Sequence, residues 1–484
     1  VTPPARHGGA IITALASAGI VVSVMQTIVI PIVPELPRYL HTDAASVTWV
    51  LTATLLAGAI ATPLTGRLGD MFGKRRLLLI CLGLLVAGSV VGALSSSLVP
   101  MIVGRALQGC AAGVIPLGIS LMRDELAPER LGSAMGLMSS SLGVGGALGL
   151  PAAAAIAQNA SWHLLFWGAA GLGLIAMIMV WTLVPESSDR SGGRIDFPGA
   201  IGLTAGLLCL LLAITKGGDW GWGGPLTLGL FGAALVILVV WGLYELRRPG
   251  PLVDLRTSAR RPVLLTNIAS ICIGFAMYAQ ALAIPQLLQL PAATGHGLGQ
   301  TMLVAGLCMA PGGLVMIFVS PLSAKLSAWK GAKVSLMTGA LVFAAGDVAA
   351  LWLLSAPWQL IVVSMITSTG MALAFAAIPA LIMANVPHTE TAAANGLNAL
   401  MRSVGTSTAS AVVGVALAHM TQPFAGTLVP TLDGFKLTFI LGAVAAMLAA
   451  LIMAFVPGRR RSVAYATATK EAAGMAAGHV HRSS

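Results

Sequence analysis

The sequence predicts an all-α integral membrane protein: two six-helix bundles related by a pseudo-two-fold axis, with two further spans inserted between them, fourteen transmembrane helices in all. Three observations carry this. Of 484 residues, 57% are hydrophobic and only 9% charged, with a mean hydropathy of +0.90, whereas a soluble domain carries about 25% charged residues. Apolar runs of about 20 residues, the length a helix needs to cross the hydrocarbon core, recur from end to end. Lys and Arg gather between alternate pairs of those runs. A backbone in lipid must satisfy its own polar groups, so the runs are helices, and no segment between them is long enough for a separate soluble domain.

In chain order the spans cover 11–34, 46–66, 77–97, 99–121, 132–157, 162–184, 197–215, 224–246, 263–289, 300–322, 334–354, 358–380, 392–419 and 435–456. Arg6 precedes the first run, which continues to about Val33, too long for a cleaved leader, so it counts as span one. With the N-terminus inside, alternate loops collect 22 of the 27 Lys and Arg. Arg38, Lys216 and Lys436 fall on the opposite side, and Arg105 and Arg402 within spans. The positive-inside rule then puts both termini in the cytoplasm, and an odd number of spans would erase the bias. The net charge of +11 is therefore topology and not a nucleic-acid footprint. The cytoplasmic segments Glu186–Phe197 and Arg247–Arg261 bracket two spans. They divide the chain into a cytoplasmic end 1–10, a first bundle 11–184, a linker pair 185–262, a second bundle 263–456 and a basic tail 457–484, expected to be disordered.

Several chemistries are excluded early. Cys81, Cys110, Cys209, Cys272 and Cys308 all lie in apolar runs, none paired as CxxC, and read as packing residues. The eight histidines are scattered without an HExxH pattern, so neither a metal nor a cofactor is expected. Gly69–Lys74 has the wrong glycine spacing for a phosphate loop and no Ser or Thr after the lysine. No nucleophile, base and orienting group recur at a defensible spacing, which argues against an enzyme.

Gly66–Arg76, reading GRLGDMFGKRR, packs five charges and three glycines between two apolar runs. Gly66 and Gly69 permit close helix approach and Gly73 a tight turn; a plain basic anchor loop is the alternative. Pro321–Lys333, PLSAKLSAWKGAK, echoes it weakly in the second half, as parallel repeats rocking about a midplane site would. The stretch resembles the loop between the second and third spans of the major facilitator superfamily, and three others resemble its fourteen-span drug:proton antiporter group. Arg105 lies in GRALQGCAAG of the fourth span. An arginine there costs about 2.5–3.5 kcal/mol on insertion scales and so faces the bundle interior. The matching arginine of the family is implicated in proton coupling; the other reading is a structural tie to carbonyls. Gly136–Pro151, GLMSSSLGVGGALGLP, resembles the glycine-proline motif of antiporters, with Gly145 and Gly149 forming a close-crossing face and Pro151 able to bend the helix. Leu150 separates Gly149 from the proline, and Ala152 and Ala153 stand where the family has glycines. Ser161–Trp167, SWHLLFW, is similar to the start of that group's sixth span.

The first span departs from the pattern. In Val24–Pro34, VMQTIVIPIVP, Met25 and Ile30 stand where many members carry an aspartate and an asparagine. Of sixteen acids only Asp347 lies well inside a span, with Glu35 and Glu245 near ends. Arg105, Asp347 and Glu35 are the proton-coupling candidates; Asp347 reads equally as a paired structural acid and Glu35 as a solvated end residue. Asn395, Asn398 and Arg402, at i, i+3 and i+7, form a polar stripe facing either a cavity or a neighbouring helix. A chamber lined by Met25, Gln26, Gln108, Asn267, Tyr278, Gln280, Asn395, Asn398 and Arg402, with almost no central carboxylate, suits neutral or anionic amphiphiles better than dications. The resemblance implies a secondary active exporter of drugs, antibiotics or metabolites, working by proton antiport and alternating access. Its cytoplasmic gate would comprise Gly66, Asp70, Gly73, Arg75, Arg76 and Arg123. Its partners would be a small-molecule substrate, protons and the lipid bilayer, with no nucleic acid and a monomeric state favoured. A proton-coupled importer or facilitator of the same fold, and a non-transporting receptor, are the alternatives. Richness in Ala, Gly and Leu, with a valine at position 1, points to a bacterial plasma-membrane protein.

Overall fold

The computed structural model describes residues 8–33, 35–187, 192, 196–248, 250–424 and 427–457. Arg6, Arg190, Arg194 and the basic tail from 458 onward lie outside the described residues. The first half comprises α1 (Gly8–Thr27), α2 (Ala44–Phe72), α3 (Lys74–Leu94), α4 (Leu98–Glu125), α5 (Pro128–Asn159) and α6 (His163–Leu183). Next come α7 (Phe197–Trp220) and α8 (Pro225–Arg247). The second half comprises α9 (Arg261–Gln289), α10 (Met302–Lys330), α11 (Ala332–Ala350), α12 (Pro357–Met383), α13 (Thr391–His419) and α14 (Leu432–Ala454). All fourteen are long and apolar enough to cross a membrane. Within the described residues the β-structure is one hairpin, Thr421–Phe424 with Thr427–Pro430.

Local chemistry sets the ends. The side chains of Asp43, Asp196, Thr301 and Thr431 accept backbone N–H groups of Ser46, Gly199, Val304 and Gly434 at the starts of α2, α7, α10 and α14, each cap worth about 1 kcal/mol. The apolar pattern carries span one to residue 34, but α1 stops at Thr27. Pro31 has no N–H to offer the Thr27 carbonyl, and a short 3₁₀ turn over Ile30–Ile32 follows.

The Gly66–Arg76 stretch is not a loop. α2 runs to Phe72 and α3 begins at Lys74, leaving Gly73 alone between them. Its φ is +112°, and a Cβ there would lie 2.7 Å from Glu186 Oε1, so glycine is required twice over. The second half repeats the device: α10 runs to Lys330, Gly331 has φ +91°, and α11 begins at Ala332. Gly73 N–H bonds to the Gly69 carbonyl and Gly331 N–H to the Ser327 carbonyl, both at 3.0 Å. The weak sequence echo is thus a repeated structural turn.

The halves meet along two related seams. In one, α5 runs against α10 with Pro151 beside Gly306, Gly143 and Ala147 beside Gly313, Gly132 beside Ala324, and Ser320 Oγ donating to the Gly136 carbonyl at 2.8 Å. In the other, α2 meets α13, Gly66 lying on the Ala392 backbone and Gly396 on Thr62. Close backbone approach supplies the packing that drives helix association in lipid. α7 covers the second seam, Leu203, Leu207 and Leu211 packing with Leu56, Ala59, Leu397 and Leu400. α8 packs on α7 and on the short helix Leu255–Ser258, and leaves Leu235, Val236, Val239 and Val240 exposed.

Candidate functional site: a chamber and its latch

Between the halves lies a cavity of about 470 Å³, walled by α1, α2, α4 and α5 on one side and α9, α10 and α12 on the other. Gln26, Thr54, Tyr278, Gln280, Gln289, Ser364 and Ser368 reach it among five methionines, Met277, Met302, Met309, Met316 and Met371. Among the described residues that line it, Arg105 is the one charged side chain, and no carboxylate is present.

Arg105 is 1% exposed. Its Nη1 donates to the Met25 carbonyl at 3.0 Å and to Gln108 Oε1 at 2.6 Å, and its Nε to the Val50 carbonyl at 3.4 Å. Gln108 Nε2 in turn donates to Ser89 Oγ at 2.8 Å. The Met25 carbonyl lies in the last turn of α1, where a helix has spare acceptors. The guanidinium therefore ties α1 and α2 to α4 and still borders the chamber, its charge met by carbonyl dipoles.

On the Gly73 side the chamber is shut. Asp70, fully buried, accepts the Ala392 and Ala393 N–H groups at 3.3 and 2.8 Å. These are the first turn of α13, where a helix favours an anion. Arg123 crosses the same seam, its Nη1 donating to Thr391 Oγ1 at 2.6 Å and its Nη2 to the Met383 carbonyl at 2.8 Å. Lys74, also fully buried, lies 3.7 Å from Asp70 and 2.6 Å from Asp124, which also accepts from Ser187 Oγ at 2.5 Å. Glu186 accepts the N–H groups of Arg75 and Arg76, each at 3.2 Å, and the Arg75 guanidinium bonds the Trp181 carbonyl. Asp70 and Arg123 thus bridge the halves. Arg75 and Arg76 contribute main-chain N–H groups at the start of α3. Lys74, Asp124, Glu186, Ser187 and Thr391 belong to the cluster without having been singled out in the sequence; a carboxylate after Pro185 at the end of a span was the available signal.

Other sequence candidates are placed differently. Gln26, Tyr278 and Gln280 line the chamber, and Gln280 Nε2 donates to Thr367 Oγ1 at 2.6 Å. Met25 does not line it: the side chain is 2% exposed in the core of the first half, and only its carbonyl serves. Gln108 is spent in the Arg105 network. Asn267 accepts from Asn398 at 2.9 Å, Asn398 also donates to Ser270 at 2.8 Å, and Asn395 bonds the Thr391 carbonyl of its own helix. Asn395, Asn398 and Arg402 border a separate void of about 30 Å³ between the halves, and Leu142 lines both it and the chamber. Arg402 lies over the Phe375 ring at 5.4 Å. Glu35 is exposed beyond α1, away from the chamber, and Asp347 is buried in the second half without reaching it. Gly145 lies on Ser23 and Gly149 on Thr27, so α5 crosses α1 closely, while Pro151 abuts Gly306.

Two six-helix bundles around a chamber between membrane-spanning helices, closed by charged contacts on one face, have the architecture of a solute transporter, and the family match agrees. The chain belongs to the Major Facilitator Superfamily, whose family model matches residues 15–410. It is similar to the tetracenomycin C resistance and export protein of Streptomyces glaucescens, 27% identical over 414 residues, covering 84% of this chain and 75% of that one. It is also similar to the uncharacterized MFS-type transporter YhcA of Bacillus subtilis, 26% identical over 308 residues; the match covers 63% of this chain and spans 57% of that relative's length. Among solved structures, the human organic anion transporter MFSD10 shares the fold with a TM-score of 0.66 at 14% identity, covering 93% of this chain and all of that one.

Proposed function

We propose that the chain exports small neutral or anionic amphiphiles across a bacterial plasma membrane in exchange for protons, with the Gly73 face cytoplasmic and the chamber facing outward. The observation that carries the reading is the chamber wall: one guanidinium, amides and hydroxyls, five methionines and no carboxylate among the described lining residues. A dication entering this low-dielectric space would meet Arg105 with no counter-charge. A neutral or anionic amphiphile meets a cation, hydrogen-bonding groups and adaptable apolar surface. The printed role of the Streptomyces relative, resistance and export, favours outward transport, and the excess of Lys and Arg on the Gly73 side favours a cytoplasmic placement.

In this reading the halves rock, the Asp70 and Arg123 bonds break, and Leu142 no longer divides the chamber from the void beside Arg402. One charge moved through 100 mV supplies about 2.3 kcal/mol, enough for a roughly fifty-fold concentration ratio.

The test is tolerance of an efflux-deficient bacterium to matched cationic, neutral and anionic toxic compounds, with Arg105→Ala as the loss control. Protection confined to neutral and anionic compounds, and lost in the variant, is expected. Protection chiefly against dications would refute the charge argument. Proton-driven accumulation in right-side-out vesicles, in place of inverted ones, would make the chain an importer.

A further inference from the structure

A chamber without an acid leaves a proton-coupled cycle in need of a titratable group elsewhere. The buried acids near the Gly73 side all have partners: Asp70 holds two amides and Lys74, Asp124 holds Lys74 and Ser187, Asp196 holds Tyr244 and Arg248, and Glu245 holds the Leu252 N–H. Asp347 differs. It is 1% exposed, and neither carboxyl oxygen has a hydrogen-bond partner.

Its neighbours among the described residues offer it no hydrogen-bond donor. The carboxyl of α11 occupies the space left by the missing side chain of Gly442 on α14, with the Ala276 carbonyl of α9 bordering the same space. Ala276, Phe343, Ala344, Ala445 and Ala446 form the cluster around it. From α9, α10, α12 and α14 no charged or titratable side chain among the described residues pairs with it or acts on it. An ionised carboxylate there would have no counter-charge and no donor, so this conformation holds the neutral acid. Such a group adds nothing to stability, and inside a membrane helix an ionisable residue marks a functional path.

Asp347 is nonetheless coupled to the chamber wall. Met371 lines the chamber and packs against the same apolar cluster. Gly346, its chain neighbour, lies on Thr367, the hydroxyl that receives Gln280 from the wall. Movement of α9 or α12 as the chamber closes therefore reaches the carboxyl through Met371 and Thr367.

We propose that Asp347 is the proton carrier of the transport cycle. Its carboxyl takes up one proton from the outer side in the outward-facing state once cargo has left, stays neutral while the halves rock, and releases that proton to the cytoplasmic side before cargo is carried back out. One proton is bound and one released per cycle, and no bond other than O–H forms or breaks. The inference rests on the proton-antiport reading above.

The proton itself is the probe. The full-length chain, spin-labelled at Phe72→Cys and Thr389→Cys on the Gly73 face, is reconstituted in liposomes and its label distances are measured from pH 5 to 9. Because proton binding stabilises the latched, outward-facing state, its population should fall as pH rises, approaching about tenfold per pH unit for one proton. Asp347→Asn, a neutral isostere of the form seen here, should stay latched across the range and keep or raise its melting temperature. Glu35→Gln should titrate like the parent. An Asp347→Asn variant that titrates with full amplitude, or that unfolds, would overturn the assignment while leaving antiport standing. A parent chain with no pH response, and no proton movement with cargo, would overturn antiport and the assignment with it.

Discussion

Replacing Asp70 by Asn tests whether the contacts on the Gly73 face act as a latch. The carboxylate accepts two N–H groups at the first turn of α13, at 3.3 and 2.8 Å, from a fully buried position. A hydrogen bond to a charged group contributes about 1.5–3 kcal/mol, and a helix N-terminus adds roughly 0.3–1 kcal/mol. The amide retains one acceptor oxygen, so the shorter bond survives in weakened form. Lys74 keeps Asp124 at 2.6 Å and is not orphaned by the change. The loss from the latched state is therefore about 2–3 kcal/mol, a roughly 30- to 150-fold shift of the equilibrium towards opening on this face. The distance between spin labels at Phe72→Cys and Thr389→Cys reads it directly: a short, narrow population in the parent should give way to a longer one in Asp70→Asn. Thr391→Ala, which removes the hydroxyl that Arg123 Nη1 grips at 2.6 Å, should move the distribution in the same direction by less. An unchanged distribution in Asp70→Asn, with the chain folded, would refute the reasoning, because the bonds would then be present in both states or worth nothing in either.

Three further outcomes follow from the same geometry. Gly66→Leu should block closure of the α2–α13 seam, since its Cβ would enter the Ala392 backbone; cargo efflux should fall at least about tenfold while circular dichroism stays unchanged. Glu245→Gln should stabilise the linker pair by about 1 kcal/mol, read as a higher melting temperature. Glu245 Oε1 and Asp196 Oδ2, both unpartnered, crowd the same point beside Gly199, and a neutral amide removes one of two neighbouring buried acids; a lower melting temperature would count against it. Ala281→Cys, in the chamber wall, should react with a membrane-impermeant thiol reagent from the face opposite Gly73, whereas Ser139→Cys, beside the void beyond Leu142, should not.

What the sequence could reveal follows from what is local. Fourteen spans were legible because each is a contiguous apolar run, and the turn at Gly73 because glycine spacing is local. The end of α1 was misread since Ile28–Val33 is as apolar as the helix before it, and only the missing N–H of Pro31 stops it. Gly66–Arg76 reads as a solvated loop because charges usually are; Lys74 and Asp70 are buried only because Asp124 and the start of α13, distant in sequence, meet them there. Gln26, Tyr278 and Gln280 were recognisable as polar groups inside spans, and the chamber holds them. Asn267, Asn395 and Asn398 gave the same signal but bond α9 and α13 to one another or to themselves, which composition cannot distinguish. Met25 acts through its carbonyl, and no side-chain argument could have found that.

The two seams are related by the repeat but differ in what holds them, and the difference predicts where the molecule opens. Gly73 and Gly331 make the same turn, yet Asp70 and Lys74 correspond to Ala328 and Ala332 in the second half. The α5–α10 seam is lined instead by small residues, which from Pro151 to Gly132 keep the two backbones in contact over most of their length. That contact runs along the apolar lengths of two helices long enough to cross a membrane, where no water waits to replace what separation would lose. The α2–α13 seam is held instead by a carboxylate, a guanidinium and helix-end amides at its Gly73 end, all groups that water can solvate once they part. Separation is therefore cheaper at α2–α13 than at α5–α10. The halves should turn about the small-residue seam and part at the charged one, which places Asp70 and Arg123 where a change in the chamber must act to be felt at the far face.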